Sequence, residues 1–154
     1  MTSRTSAGTT LAISAGRPAT FDAAGFGALT KTLIGEITNV DGDLGRVYNL
    51  VTHNPLATRA TVKKKGSYNS GSLNLTLAID EDDAGQIIAE AALKSDADYT
   101  FELTLQDGAK RYFMALVMSF PTTVGTVDDI TTGTINLEIT ANDDGDDFVK
   151  VAAP

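Results

Sequence analysis

The chain has 154 residues, a length typical of one domain, and a formal net charge of −8. Proteins that bind nucleic acid over their surface are usually basic, so this charge argues against that class. Cysteine is absent, which excludes disulfide bonds, thiolate zinc sites and cysteine nucleophiles. No stretch approaches the ~18 apolar residues of a membrane span, and the start lacks a secretory pattern. We therefore expect one domain over residues 1–154, made in the cytoplasm without a cleaved signal.

The first part of the chain is predicted to be irregular at two places. Residues 1–30 are rich in Gly, Ala and Thr and predict an extended N-terminal arm without regular structure. Residues 32–40 and 57–65 read as strands. Between them, residues 41–55 contain Gly, Asn and Pro and predict a long loop, which is usually functional or disordered at this length.

The strongest strand signals lie further along. Apolar residues alternate with more polar ones over residues 73–79, 99–105 and 135–139. This period of two predicts half-exposed antiparallel strands with one face on a core. Residues 111–118 are almost continuously apolar and predict a strand covered on both faces. The Asp-Gly pair at 107–108 precedes that strand and predicts a hairpin turn.

One segment has a helical period. Residues 82–94 begin with Asp82 and Asp83, either of which could cap a helix, and Lys94 suits its C-terminal end. The apolar stripe within this segment consists of Ala84, Ile87, Ile88 and Ala91. The acidic tail over residues 142–154 predicts no regular structure. The fold class is therefore mainly β, an antiparallel sandwich or barrel with one flanking α-helix at about residues 82–94.

Catalytic chemistry has little support in this sequence. His53 is the one histidine, and it lies in a polar loop without a nearby nucleophile motif, so an exposed loop histidine is the better interpretation. Residues 80–85 resemble the start of a calcium loop, but Ala84 and Ala91 fall where ligands are required. Helix capping explains these acids better. We expect no enzymatic activity, no metal and no cofactor.

The charges are unevenly divided along the chain. Residues 1–77 carry eight bases and four acids, whereas residues 78–154 carry four bases and sixteen acids. Two explanations remain open, namely more solvated loops in the second half or head-to-tail contact between copies of the chain. The basic run at Lys63, Lys64 and Lys65 alternates between the two faces of a strand, which is poor geometry for one nucleic-acid groove. It suits a protected sheet edge or a contact with an acidic neighbouring subunit.

Several stretches together resemble a known family. They are Gly-Arg-Val-Tyr at 45–48, residues 54–59, residues 65–73, residues 80–85 leading into the helix, residues 119–128 with Val-Gly-Thr-Val at 124–127, and the Thr-rich strand at 134–140. Over residues 34–140 the chain resembles the major tail tube protein of long, non-contractile bacteriophage tails. The Val-Gly-Thr-Val followed by the Thr-rich strand is the most specific part.

This resemblance implies a structural virion protein of the phage tail, made in the host bacterial cytoplasm. Six copies would close into a ring by joining inner sheets into a β-barrel, and rings would stack into the tube through which DNA leaves. The implied partners are the chain itself, a tape-measure protein, and terminator and tip proteins. DNA would pass without specific binding, and no membrane is involved. The resemblance carries over no catalytic residue.

Residues were assigned to this assembly from strand alternation and charge. The candidates for the wall of an acidic lumen, which would repel DNA phosphates, are Glu36, Glu102 and Glu138. The candidates for stacking are Asp41, Asp43, Arg46, Tyr48, Arg59, Lys63, Lys64 and Lys65. The loop at 41–55 is expected to order only in the assembled tube. A soluble β-sandwich binding module, of a minor tail or adhesin type, is the alternative function. The tube subunit of a contractile tail would share the same fold and the same kind of lumen.

Overall fold

The computed structural model describes residues 3–154. Those residues form nine strands and two helices. In chain order the elements are β1 (Thr10–Ser14), α1 (Ala23–Gly27), β2 (Thr32–Leu33), β3 (Ile37–His53), β4 (Val62–Ala78), α2 (Ala84–Leu93), β5 (Tyr99–Thr104), β6 (Lys110–Ser119), β7 (Thr122–Thr123), β8 (Thr132–Thr140) and β9 (Phe148–Val151).

All strands belong to one antiparallel sheet. Its order is β2-β1-β5-β6-β8-β4-β3, with β7 added to β8 and β9 added to β6. The two strands at the ends of this path, β2 and β3, are consecutive in sequence and separated by three residues, 34–36. The two ends of the sheet must therefore lie side by side, and the sheet curves around a common core. The predicted fold class, mainly antiparallel β with a flanking helix, is confirmed.

Alternation explains how the core is filled. Leu73, Leu75 and Leu77 of β4 are buried, as are Ile135 and Leu137 of β8, while the residues between them are partly exposed. Strand β1 brings Leu11 and Ile13 into the same cluster from the other side of the curved sheet. Full burial of side chains of this size stabilises the fold by about 1.5–3 kcal/mol each.

The helix is confirmed, but its buried face differs from the predicted stripe. Asp83 caps α2 by accepting a hydrogen bond from the Gln86 backbone N–H at 3.0 Å. The buried helix residues are Gly85, Gln86, Ala89 and Ala92. A Cβ at Gly85 would lie 2.2 Å from the Leu33 carbonyl oxygen, so this close approach requires glycine. Small residues let the helix lie near the strands, and Ile87 is left 54% exposed.

Gln86 also fixes the connection between β2 and β3. Its buried side-chain amide donates to the carbonyl oxygens of Gly35 and Ala78, and its oxygen accepts from the Asp80 backbone N–H. Asp83 accepts a second hydrogen bond, from the Gly35 N–H at 3.1 Å. The helix start therefore holds the bend at which the sheet closes.

The predicted irregular segments were wrong in three places. Residues 1–30 include β1 and α1 within their described part, because Leu11, Ile13 and Phe26 are short apolar signals that nevertheless fill core positions; residues 1–2 lie outside the described part. The predicted loop at 41–55 is mostly strand β3. The acidic tail contains β9, which pairs with β6.

Two predicted strands have different limits. The strand at 32–40 is interrupted at residues 34–36, where Glu36 has a positive φ of 64°. The strand at 57–65 begins only at Val62, since residues 54–61 form the connection between β3 and β4. The strands at 73–79, 99–105, 111–118 and 135–139 and the hairpin turn at 107–108 are confirmed. The predicted half-exposure of 99–105 is wrong, because Thr100 to Leu103 are all buried and both faces of β5 are covered.

Candidate assembly surfaces

One face of the sheet is polar and acidic. Register places Asp43, Ser72 and Glu138 in one cross-strand row. The next row contains Asp41, Asn74 and Asn136, and a third contains Asn39, Thr76 and Thr134. None of these nine residues is basic, and the two asparagines of the second row share a hydrogen bond at 2.8 Å. We call this surface the polar face.

The three predicted wall residues lie in different places. Glu138 lies on the polar face, with the part-exposed burial expected for a strand residue opposite the core. Glu36 lies outside any strand, in the bend between β2 and β3. Glu102 is only 9% exposed, so it is not on a wet face of this subunit. The structure instead brings Asp41 and Asp43, which were predicted for stacking, onto the polar face beside Glu138.

Glu102 belongs to an internal ion cluster. Its carboxylate lies 3.3 Å from the Lys31 Nζ and 3.1 Å from the Lys110 Nζ. Burial by itself would raise the pKa of Glu102, but hydrogen bonds from Lys110 and Lys31 outweigh burial and lower the pKa below its ordinary value. Glu102 therefore stays ionised as part of the packing between β5 and β6.

That packing includes a second apolar cluster that sequence reasoning missed. Phe26 of α1 stacks on Tyr112 of β6 with ring centroids 5.2 Å apart, and Met114 completes the buried group. Lys31 donates to the carbonyl oxygen of Phe26, which ties the ion cluster to α1. The continuous apolar character of residues 111–118 could have indicated this second cluster, because a strand that is covered on both faces needs packing partners on each face.

Strands β3 and β4 extend well beyond the body of the sheet. Strand β4 pairs with β8 only over residues 72–78, whereas its pairing with β3 continues to Val62. Residues 44–71 therefore form a two-stranded hairpin, here called the arm. The arm exposes several large apolar side chains: Val47, Leu50, Val51, Leu56 and Val62. It contains five basic residues and no acidic one.

The predicted stacking residues other than Asp41 and Asp43 all lie on the arm. Arg46 and Tyr48 lie near its base, where β3 leaves the body. Arg59, Lys63, Lys64 and Lys65 are exposed in the outer half. His53 is exposed at the end of β3, as predicted.

The base of the arm is fastened to the C-terminal segment. Arg46 donates two hydrogen bonds to Asp147, at 2.8 and 3.1 Å, and Ser70 donates a third at 2.9 Å. Burial raises the pKa of Asp147, but hydrogen bonds from Arg46 and Ser70 outweigh burial and lower its pKa overall. The Tyr68 hydroxyl donates to the Gly145 carbonyl at 2.7 Å. These contacts fix the direction in which the arm leaves the body.

The opposite end of β4 carries a groove. The groove has a volume of about 460 Å³ and is bounded by α2 on one side and by the β6–β8 connection on the other. Its apolar lining is Ile79, Ile87 and Phe120, and Glu81 and Glu90 lie at its edge. Residues 78–93 and 120–132 surround it and contain seven acidic residues and no lysine or arginine. We call this region the acidic end.

A structured turn adds exposed apolar side chains to the acidic end. Asp129 accepts hydrogen bonds from the Thr126 backbone N–H and hydroxyl, both at 2.9 Å. These bonds lower the pKa of Asp129, so its carboxylate keeps the turn closed at neutral pH. The side chain of Val127 in this turn is 98% exposed, and those of Val124 and Ile130 are also exposed. A closed turn that presents apolar side chains to solvent is typical of a contact surface.

Residues 3–154 show no grouping of three or more histidine, aspartate or glutamate side chains suited to hold a metal ion. None of the helices in the described residues has the length and apolar character needed to span a membrane.

No protein-family model and no curated protein matches this chain. Solved structures do match it. A chain of the anti-feeding prophage baseplate aligns with a TM-score of 0.68 and 11% identity, covering 99% of this chain and 98% of that one. A chain from the sheath/tube terminator structure of an extracellular contractile injection system gives 0.64 and 14%, covering 99% of both. The SPP1 tail tube gives 0.58 and 18%, covering 84% of this chain and 72% of that one. The chain therefore has the fold of tail tube and terminator structures.

Proposed function

We propose that this chain is a structural subunit of a phage-like tail tube, located in the tail of the particle. Its fold is similar to that of chains in a tail tube, a tube terminator and a prophage baseplate. The arm is the feature of the structure that supports the proposal most directly. A 28-residue hairpin with exposed apolar side chains, which the described residues hold at its base, is poorly explained in a protein that works as a monomer.

Six copies are proposed to form a ring, and rings to stack into a tube. The outer edge of β3 has no strand partner within the described residues, so a neighbouring sheet can add to it. Sheet joining around a ring removes such edges, whereas stacking is a heterologous contact that does not close and produces a filament. The other proposed partners are a tape-measure protein inside the tube, and terminator and tip proteins at its ends.

The polar face is proposed to line the lumen. It presents Asp41, Asp43 and Glu138, three carboxylates per copy and hence eighteen in a ring of six, among small polar side chains. A wall with this charge repels DNA phosphates and lets DNA slide during ejection. Glu102 is not part of this proposed wall, because it is buried against Lys31 and Lys110.

The fold is shared by neighbours with different tail types. The terminator structure is from a contractile injection system, whereas the SPP1 structure is a tail tube. The proposal is therefore a tube subunit, and a sheath would have to come from another chain.

Electron microscopy of the purified protein tests this function. We expect hollow tubes, or rings of uniform diameter, in negative stain, either spontaneously or after seeding with tail tips. Particles that stay monomeric under both conditions would contradict the proposal. A reconstruction of the tubes would then show which face lines the lumen, and polar-face carboxylates on the outside would contradict the proposed wall.

A further inference from the structure

The arm tip is an unusual surface for a free subunit. Residues 54–61 connect β3 and β4, and a hydrogen bond from the Thr58 N–H to the Pro55 carbonyl closes a turn there. This turn leaves Leu56 fully exposed, and Val62 is exposed nearby. Arg59 and Lys63 flank these apolar side chains and are exposed as well. The tip thus presents exposed apolar side chains with basic side chains beside them.

The acidic end has the complementary features. Its groove has an apolar lining with Ile87 on one wall and Phe120 on the other. Glu81 and Glu90 stand at the rim, and both side chains are exposed. A Cβ at Gly133 would lie 2.6 Å from both Ile79 and Phe120, so this glycine lets the two side chains pack over the strand where they line the groove.

We infer that the arm tip of one copy docks into the groove of a second copy, with Leu56 entering between Ile87 and Phe120. Arg59 and Lys63 then lie beside Glu81 and Glu90. This inference rests on the proposed function and names the surfaces through which one ring would hold the next.

The groove is occupied by the arm of a second copy, because the arm and the acidic end carry opposite charges and cannot meet within one molecule. The arm has five bases and no acid, while the acidic end has seven acids and no lysine or arginine. The tip and the groove lie at opposite ends of β4, which spans 17 residues and therefore about 50 Å. A contact between opposite ends of identical molecules is heterologous, and it continues as a filament.

The structured turn at residues 124–130 belongs to the same docking surface. Thr131 of the adjacent segment lines the groove, and its carbonyl accepts a hydrogen bond from the Ile79 N–H at 3.0 Å. Ile130 precedes Thr131 in the chain and is exposed, so the apolar side chains of an incoming arm, such as Leu50 and Val51, can cover it beside the groove. The charges determine the orientation, and the apolar contacts supply most of the affinity.

Charge reversal on each surface tests the inference. The arm variant is Arg59→Glu with Lys63→Glu, and the groove variant is Glu81→Lys with Glu90→Lys. Within residues 3–154, none of these four side chains makes a hydrogen bond or ion pair, so each variant should fold, which circular dichroism would verify. Lys150→Glu, an exposed lysine on β9, controls for a change in net charge. Tube assembly is measured by sedimentation and microscopy against protein concentration.

Each reversed variant alone should need an about tenfold or higher concentration to form tubes, because like charges then face each other. Mixing the two variants in equal amounts should restore assembly, since each arm then meets a groove of opposite charge. The fourfold variant should assemble by itself, and Lys150→Glu should behave like the wild type.

Undiminished assembly of both reversed variants would overturn the inference. So would a loss of assembly that neither mixing nor the fourfold variant restores. These outcomes differ from failure of the proposed function, in which the wild type itself would form neither rings nor tubes. If a reversed variant did not fold, the neutral pair Arg59→Gln and Lys63→Gln would replace it, with a smaller shift expected in the same direction.

Discussion

The two halves of the β3–β4 hairpin have the same backbone pairing and opposite environments. In the body half, Leu75 and Leu77 are fully buried in the main core cluster. In the arm half, Leu50 is 65% exposed, and beyond the base, which contacts residues 145–147, the two strands pair with each other and with no third strand of the described residues. A two-stranded ribbon is marginally stable without a third strand or a packing partner. The body is thus completed by its own chain, and the arm by a neighbour.

The largest expected effect is a difference in stability between variants in the body half and in the arm half. Leu75→Ala should lower the free energy of unfolding by about 2–5 kcal/mol, because it leaves a cavity in a closed core. Leu50→Ala, the matched arm variant, should change it by less than about 0.5 kcal/mol. Chemical denaturation of both variants measures this difference. Equal destabilisation would show that the arm is folded against the body.

The ion cluster between β5 and β6 gives the next prediction. Glu102→Gln should cost about 1–3 kcal/mol, mainly because the largely buried Lys31 loses its counter-charge, while Lys110 is partly exposed and contributes less. The folded-state pKa of Glu102 is lowered, so its contribution is present above the ordinary carboxyl pKa and is lost as the pH falls below about 4. The difference in stability between wild type and variant should therefore shrink in acid. A difference that is constant from pH 7 to pH 3 would contradict this assignment.

The hydrogen bonds from Arg46 and Ser70 to Asp147 at the arm base, here called the clasp, should have a smaller effect on stability and a larger effect on assembly. Asp147→Asn weakens the hydrogen bonds from Arg46 and Ser70 and should cost about 1–2 kcal/mol. Because the folded-state pKa of Asp147 is also lowered, this contribution too disappears as the pH falls below about 4. Asp146→Asn, a neighbouring acid outside the clasp, is the control. Tube assembly by Asp147→Asn equal to that of the control would show that arm direction is unimportant.

Hydrogen exchange should show the smallest but most local difference. Amides of residues 44–71 should exchange faster than those of residues 72–78 in the free subunit, and should slow on tube formation. The body amides should change little. If arm and body exchange at the same rate in both states, the contrast between the two halves of the hairpin does not hold.

Sequence reasoning succeeded where burial produces a regular pattern. The alternation at 73–79 and 135–139 indicates a sheet with one face on a core, and Asp83 at the start of the helical pattern indicates a helix cap. It failed for residues 41–53 of β3, which are mostly exposed and include glycines at 42 and 45 with positive φ, so no alternation marks them as a strand. Strand β1 was missed because five residues carry too weak a signal without the partner strands that bury them.

The candidate sites were predictable in part for the same reason. Glu138 could be placed opposite the core from its own strand. Glu102 is instead buried against Lys31 and Lys110, and the local pattern of β5 does not reveal that these lysines lie beside it. The basic run at 63–65 was correctly assigned to a strand, but only pairing with β3 shows that this strand projects from the body. The groove is formed by segments far apart in sequence, and no local motif marks it.

Cross-linking tests the central claim, head-to-tail docking of the arm, most directly. The chain contains no cysteine, so Leu56→Cys with Ile87→Cys introduces a unique pair, too far apart to join within one subunit. Under mild oxidation of assembled tubes, we predict a ladder of disulfide-linked oligomers on a non-reducing gel. Leu56→Cys with Met118→Cys, which places the second thiol at an exposed site outside the groove, should give none. Tubes that form but show no ladder with the first pair would contradict the account.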